Sequence, residues 1–152
     1  MKVIFLDHDG VICLADNWGS RFKKDTKFDD FNKSAIKVLN SILEETGAEI
    51  VVSSDWRRYC ILEEMGEYYQ SQGILKTPIG MTEILKVPFS QLHRIRASEI
   101  QKYLDEHKEI THWVAVDDLD MSELLSNFVL VTNSFEGIAE KEIKNEIIKY
   151  LM

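Results

Sequence analysis

Cysteine is almost missing from the 152 residues: Cys13 and Cys60 are the only two. They form no disulfide framework and no metal-knuckle spacing, so reduced thiols in a cytoplasmic protein are expected. Long apolar runs are missing as well. Nothing approaches the ~20 apolar residues of a membrane span, and Lys2 and Asp7 interrupt any signal-peptide core, so no membrane contact is expected. Positive charge is in deficit. Lys and Arg number 18 against 26 Asp and Glu, a net charge of −8. That balance argues against nucleic-acid binding by the surface as a whole, though not by a local basic site. No internal repeat, low-complexity tract or linker interrupts the chain, so residues 1–152 are read as a single domain.

What is present is organised around Lys2 to Val11, KVIFLDHDGV. Val3 to Leu6 is a short unbroken run of β-formers, too short for a helix and matched to a strand buried on both faces. It stops at Asp7-His8-Asp9-Gly10, so a buried strand delivers two carboxylates to its carboxyl end, the edge where open α/β sheets bind ligands. Gly10 permits a sharp turn or a positive φ. An EF-hand loop is excluded, because aligning its glycine with Gly10 puts Phe5 where the first ligand belongs.

Two further strands end in the same manner. Ile50-Val51-Val52 runs into Ser53-Ser54-Asp55-Trp56-Arg57-Arg58, and Trp113 to Val116 runs into Asp117-Asp118. A fourth strand is predicted over Phe128 to Val131, and a weak, peripheral one over Leu75 to Ile79, which contains Pro78. Helical spacing links Phe31, Ala35, Leu39, Ile42 and Leu43, capped by Asp30 or Asn32 and closed by Gly47. It links Ile61, Leu62, Met65, Tyr68 and Tyr69 before Gly73, then Ala97, Ile100, Tyr103 and Leu104 from a start near Ser98. Ala139, Ile143, Ile147 and Leu151 mark a closing helix. Ala15 to Asp30 reads as a surface flap with little core, and Thr82 to Leu92 carries no clear pattern. Strands alternating with helices predict an α/β fold, a doubly wound, mostly parallel, Rossmann-like sheet.

Parallel strands place their carboxyl ends together, so Asp7, Asp9, Ser53, Ser54, Asp117 and Asp118 converge across more than a hundred residues. Four carboxylates there would repel one another unless a cation or a proton intervenes. An oxygen-only donor set without His or Cys favours Mg²⁺.

In these motifs the chain resembles the haloacid dehalogenase (HAD) superfamily: VIFLDHDGV matches its first motif, IVVSS its second and VAVDD its fourth. The third motif, a cation at a helix start, is matched best by Arg96 in RASEI. The resemblance implies a HAD-like core with a minimal cap, and a Mg²⁺-dependent phosphatase working through an aspartyl-phosphate. Asp7 would be the nucleophile and Asp9 the general acid and base. Asp7, Asp9, Asp117 and Asp118 would form the metal site, with Ser54 or Ser53 on a phosphoryl oxygen and Arg96 as charge balance. Arg57 and Arg58 would touch substrate. SSDWRR, the segment from Pro78 to Thr82 and RASEI together resemble small HAD domains associated with RNA repair.

The competing readings are a receiver-like phosphoacceptor module and a HAD-like binding protein without turnover. The receiver reading needs the acidic pair on the first strand and the phosphorylated Asp on a middle one, the reverse of the order here. Little surplus chain is available for a cap, which points to a macromolecular phosphate end. Arg21, Lys23, Lys24, Lys27, Arg57, Arg58, Arg94 and Arg96 flank the site and would track a polyanion such as a nucleic-acid 3′ end.

Overall fold

A computed structural model describes residues 1–87 and 91–152 of the chain. Five parallel strands form one sheet in the order β3-β2-β1-β4-β5. They are β1 (Lys2–Leu6), β2 (Glu49–Val52), β3 (Gly80–Met81), β4 (His112–Asp117) and β5 (Phe128–Leu130). The helices are α1 (Ser20–Lys24), α2 (Lys33–Thr46), α3 (Leu62–Ser71), α4 (Leu92–Glu106) and α5 (Ile143–Leu151). This is the α/β, Rossmann-like core expected from the alternation of periods.

Strand alternation divides the core in two. Ile4, Leu6, Ile50, Val52, Val114 and Val116 face the side covered by α2, α3 and α5. Val3, Phe5, Val51 and Ala115 face Ala97 and Ile100 of α4, with Met121 and Leu125. From Val3 onward no polar residue interrupts β1 until Asp7, because both of its faces are covered there.

Local chemistry accounts for the helix boundaries. Asn32 caps α2, its Oδ1 accepting from Ala35 N at 3.0 Å. Gly47 ends the helix at φ +69°, where a side chain would be strained. The weak strand expected over Leu75 to Ile79 is displaced: pairing runs from Ile79 N, which donates to Ile50 O at 2.9 Å, into Gly80–Met81. Pro78 lacks an N–H, so the ladder forms only after it. Helix α4 begins at Leu92 rather than near Ser98; Gln91 precedes it without a side-chain cap, so no capping residue marks the start. Ala139 lies in a 3-10 turn before α5. The unpatterned stretch from Thr82 to Leu92 includes residues 88–90, which lie outside the described residues.

The flap reading holds except near its end: Val11 to Leu14, just before the flap, are at most 1% exposed, and Phe28 and Asp29 are buried where the chain returns. Phe28 stacks on Trp56 with ring centroids 4.8 Å apart and planes 3° off parallel. No helix among the described residues is long and apolar enough to cross a membrane.

Candidate active site

Register sets the site. Leu6 is level with Val52 on one side and Val116 on the other, so the next residues of the three strands emerge side by side. The ladder continues into them: Asp7 N donates to Val116 O and Ser53 N to Leu6 O, both at 3.1 Å. Asp7 lies on the Phe5 face by alternation, as Asp117 lies on the Ala115 face, and both look toward α4. There Arg96 meets them. Its Nη1 donates to both Asp117 carboxylate oxygens, at 2.9 and 3.1 Å, and lies 3.7 Å from Asp7 Oδ1.

After Asp7 the chain reverses tightly, with the N–H groups of Val11, Ile12 and Cys13 all aimed at His8 O at 2.9–3.0 Å. Gly10 adopts φ +81°, and a Cβ there would lie 2.5 Å from Asp118 Oδ2. Glycine is therefore required twice, for the left-handed backbone and for the approach of Asp118. Gly10→Ala is expected to lower stability by at least about 1 kcal/mol in chemical denaturation. It should also weaken divalent-cation binding measured by calorimetry, because Asp118 must move.

Asp7, Asp117 and Asp118 each offer a carboxylate oxygen within 4.8 Å of the others. Burial, and next to it the neighbouring Asp117, hold the Asp7 carboxyl well above the usual carboxylate range, while Arg96 opposes them. Asp118 is raised as well, first by desolvation of its carboxyl. Burial alone would lower the Arg96 pKa, but Asp117 and Asp7 outweigh it and hold the guanidinium charged. A buried acidic triad with oxygen-only donors fits a hard divalent cation, which would relieve the same repulsion.

Asp9 stands outside this triad at the mouth of the cleft, and its carboxylate Oδ2 accepts from Trp56 Nε1 at 3.1 Å. Partial desolvation raises the Asp9 pKa, and the indole N–H opposes the rise. His8 points to the opposite face. It lies against Trp56 and Phe31 and shares a 2.6 Å hydrogen bond with Tyr69 Oη. Burial pushes its imidazole down to about 3, so it is a neutral packing group.

The cleft, of about 300 Å³, is lined by Asp7, Asp9, Ser54, Asp55, Leu92, Arg96, Asp118 and Leu119. Ser54 is the serine that lines it, with Oγ accepting from Trp56 N at 3.2 Å. Ser53 is buried and outside the lining, so the expectation that it touches substrate is corrected. Arg57 is corrected more firmly. Its side chain is 1% exposed; Nε donates to Thr82 O, and Nη1 to Ser53 O and Ser54 O, each at 3.0 Å. Its Nη2 makes a 2.6 Å ion pair with buried Glu99. Arg57 is therefore a strut beneath the serine loop. Arg58 is exposed, 3.5 Å from Asp55, and does not line the cleft. Arg96 sits in the second turn of α4, not at its start.

Two contributors went unassigned in the sequence. Asp55 lines the cleft and lies 3.3 Å from Arg96 Nη2, a carboxylate that its place straight after the serines could have signalled. Glu99 of α4 is the buried partner of Arg57, and no local spacing in the sequence links the two. The flanking cations are less free than their number implied. Arg21 pairs with Asp29, Lys24 with Asp30, Lys27 with Glu64 and Arg58 with Asp55. Arg57 and Arg96 are held by buried acids.

No curated protein and no solved structure matches the chain. A family model described as the HAD domain in Swiss Army Knife RNA repair proteins does match, over residues 3–143. The match spans all five strands and reaches the first residue of α5, and it takes in every strand end that contributes to the cleft. By that match the chain belongs to the HAD-domain family of Swiss Army Knife RNA repair proteins.

Proposed function

We propose that the chain is a Mg²⁺-dependent phosphomonoester hydrolase working through an aspartyl-phosphate on Asp7, with a nucleic-acid phosphate end as substrate. The observation that carries this reading is the meeting of Asp7, Asp9, Ser54, Arg96 and Asp118 in one cleft, with Asp117 behind them. The family's link to RNA repair supports the substrate.

Asp7, Asp117 and Asp118 would hold the cation, which supplies positive charge to the phosphoryl oxygens and to the nucleophile. An Asp7 carboxylate oxygen attacks phosphorus as the bond to the leaving oxygen breaks. Asp9 gives its proton to that oxygen. Trp56 Nε1 can only donate, so Oδ2 of Asp9 is the accepting oxygen and the transferable proton belongs on Oδ1. Asp9, now a carboxylate, takes a proton from water as that water attacks the phosphorus of the phospho-Asp7. Inorganic phosphate leaves and Asp7 is restored. The Ser54 hydroxyl donates to a phosphoryl oxygen, and Arg96 balances charge on the transferring group. Phosphoryl transfer asks mainly for such positioning and electrostatics.

The direct test is hydrolysis of an aryl phosphate, with and without Mg²⁺. Turnover that requires Mg²⁺ and is lost with chelator supports the reading; no turnover under either condition overturns it. Trp56→Phe keeps the stacked ring and removes the N–H. It is expected to slow hydrolysis of a poor-leaving-group ester about tenfold, with a smaller loss on an aryl phosphate. Equal losses on both would remove the link between Trp56 and proton donation.

A further inference from the structure

A second cavity, of about 560 Å³, adjoins the cleft, and the two share Asp9 and Asp55 as walls. Asp7, Arg96 and Asp118 line the first alone. Phe28, Trp56, Tyr59, Lys27 and the ion pair of Arg21 with Asp29 line the second, so Arg21's charge is already met there by Asp29. The division follows the chemistry, because the group that protonates the leaving oxygen must stand between the phosphoryl site and the leaving group. With Asp9 as the proton donor proposed above, the second cavity would be the leaving-group side. Its size is that of a site for a small organic moiety rather than for an ion.

Its walls specify which moiety. The Phe28–Trp56 stack forms a fixed side, with Trp56 closed on its other face by Phe31 at 5.3 Å. Tyr59 is 66% exposed at the end of the 3-10 turn Asp55–Arg58 that carries Trp56, so its ring offers surface to a ligand. Lys27 Nζ holds Tyr59 O at 2.8 Å and pairs with Glu64 at 3.0 Å across a half-exposed contact. Such exposed pairs are weak, so the ammonium can turn to an anion at little cost. A flat ring against Tyr59 with a negative charge beside Lys27 describes a base and its neighbouring phosphodiester. A phosphopeptide side chain would offer the ring without the second anion.

We infer that this second cavity receives the terminal nucleoside of the substrate, with its base stacked on Tyr59 and the adjoining phosphodiester near Lys27. The assignment rests on the function proposed above for the leaving-group side of Asp9, but its test needs no turnover. Asp7→Asn protein is titrated calorimetrically, in Mg²⁺, with inorganic phosphate, adenosine 3′-monophosphate, the 3′-phosphorylated dinucleotide and O-phosphotyrosine. The nucleotide is expected to bind about tenfold tighter than inorganic phosphate, the scale of one base–aromatic stack. The dinucleotide should bind more tightly again, with a steeper loss in salt. Tyr59→Ala in the same background should remove most of the nucleotide's advantage over inorganic phosphate, and Tyr59→Phe should keep it. The inference is overturned by a nucleotide no tighter than inorganic phosphate, an advantage that survives Tyr59→Ala, or phosphotyrosine binding as tightly as the nucleotide. Failure of wild-type protein to hydrolyse any phosphate ester would overturn the catalytic reading instead, and leaves these affinities readable on their own.

Discussion

Asp7→Asn is expected to reduce phosphate-ester turnover by about four orders of magnitude or more, the scale seen when a covalent nucleophile is removed. The amide occupies nearly the same volume at the end of β1 but cannot form the acyl phosphate. Rapid acid quench of wild-type protein with a labelled substrate should trap label on the chain, and the variant should trap none. The fold provides the control. Burial raises the Asp7 pKa, so the ionised carboxylate is less comfortable in the native state than in the unfolded chain. Replacing it by a neutral amide should leave the metal-free melting temperature unchanged or raise it. Near-normal turnover by a pure, folded Asp7→Asn protein would identify a different nucleophile. Asp9→Asn is the companion: it should cost about two to four decades in turnover while the Asp7, Asp117 and Asp118 cation site persists.

The second large effect is on stability. Arg57 joins the ends of β2 and β3 to α4 through three backbone carbonyls and Glu99. Glu99 also accepts from Leu85 N at 2.9 Å. Both side chains are almost wholly enclosed, 1% and 3% exposed. Removing either partner leaves a buried charge unpaired, so Arg57→Met or Glu99→Leu is expected to cost about 3–5 kcal/mol in urea denaturation. The double variant should lose less than the sum of the two singles, because neither charge is then stranded. A double variant as unstable as the sum would show that the two do not act as a pair. Activity should fall in the singles as well, since the strut seats the loop that carries Ser54 and the helix that carries Arg96.

The strand ends were legible because burial on both faces forces an unbroken apolar run, so the first carboxylate or hydroxyl after such a run marks where the strand leaves the core. Asp7, Asp117 and the serine pair stand out on that ground alone. Arg96 could be named but not placed, because no capping side chain marks the start of α4 at Leu92. Arg57 was misread for a related reason. SSDWRR presents two adjacent arginines of equal chemistry, and only the 3-10 turn at Asp55–Arg58 sends one inward to carbonyls and Glu99 and the other out to solvent. The flap's cations could be counted but not paired, since their contacts with Asp29, Asp30 and Glu64 depend on how the loop folds back.

The order of apolar runs and their polar endings determined, by itself, the parallel α/β sheet and the meeting of acids at one edge. Both follow from periodicity and from the common direction of parallel strands. The tertiary structure decided which oxygen of Asp9 is held by Trp56, which serine lines the cleft, which arginine is a strut, and that a second cavity opens beside Asp9. Each of these depends on distances of a few ångströms between side chains tens of residues apart. Loop trajectory sets such distances, and no local pattern of residue types encodes them.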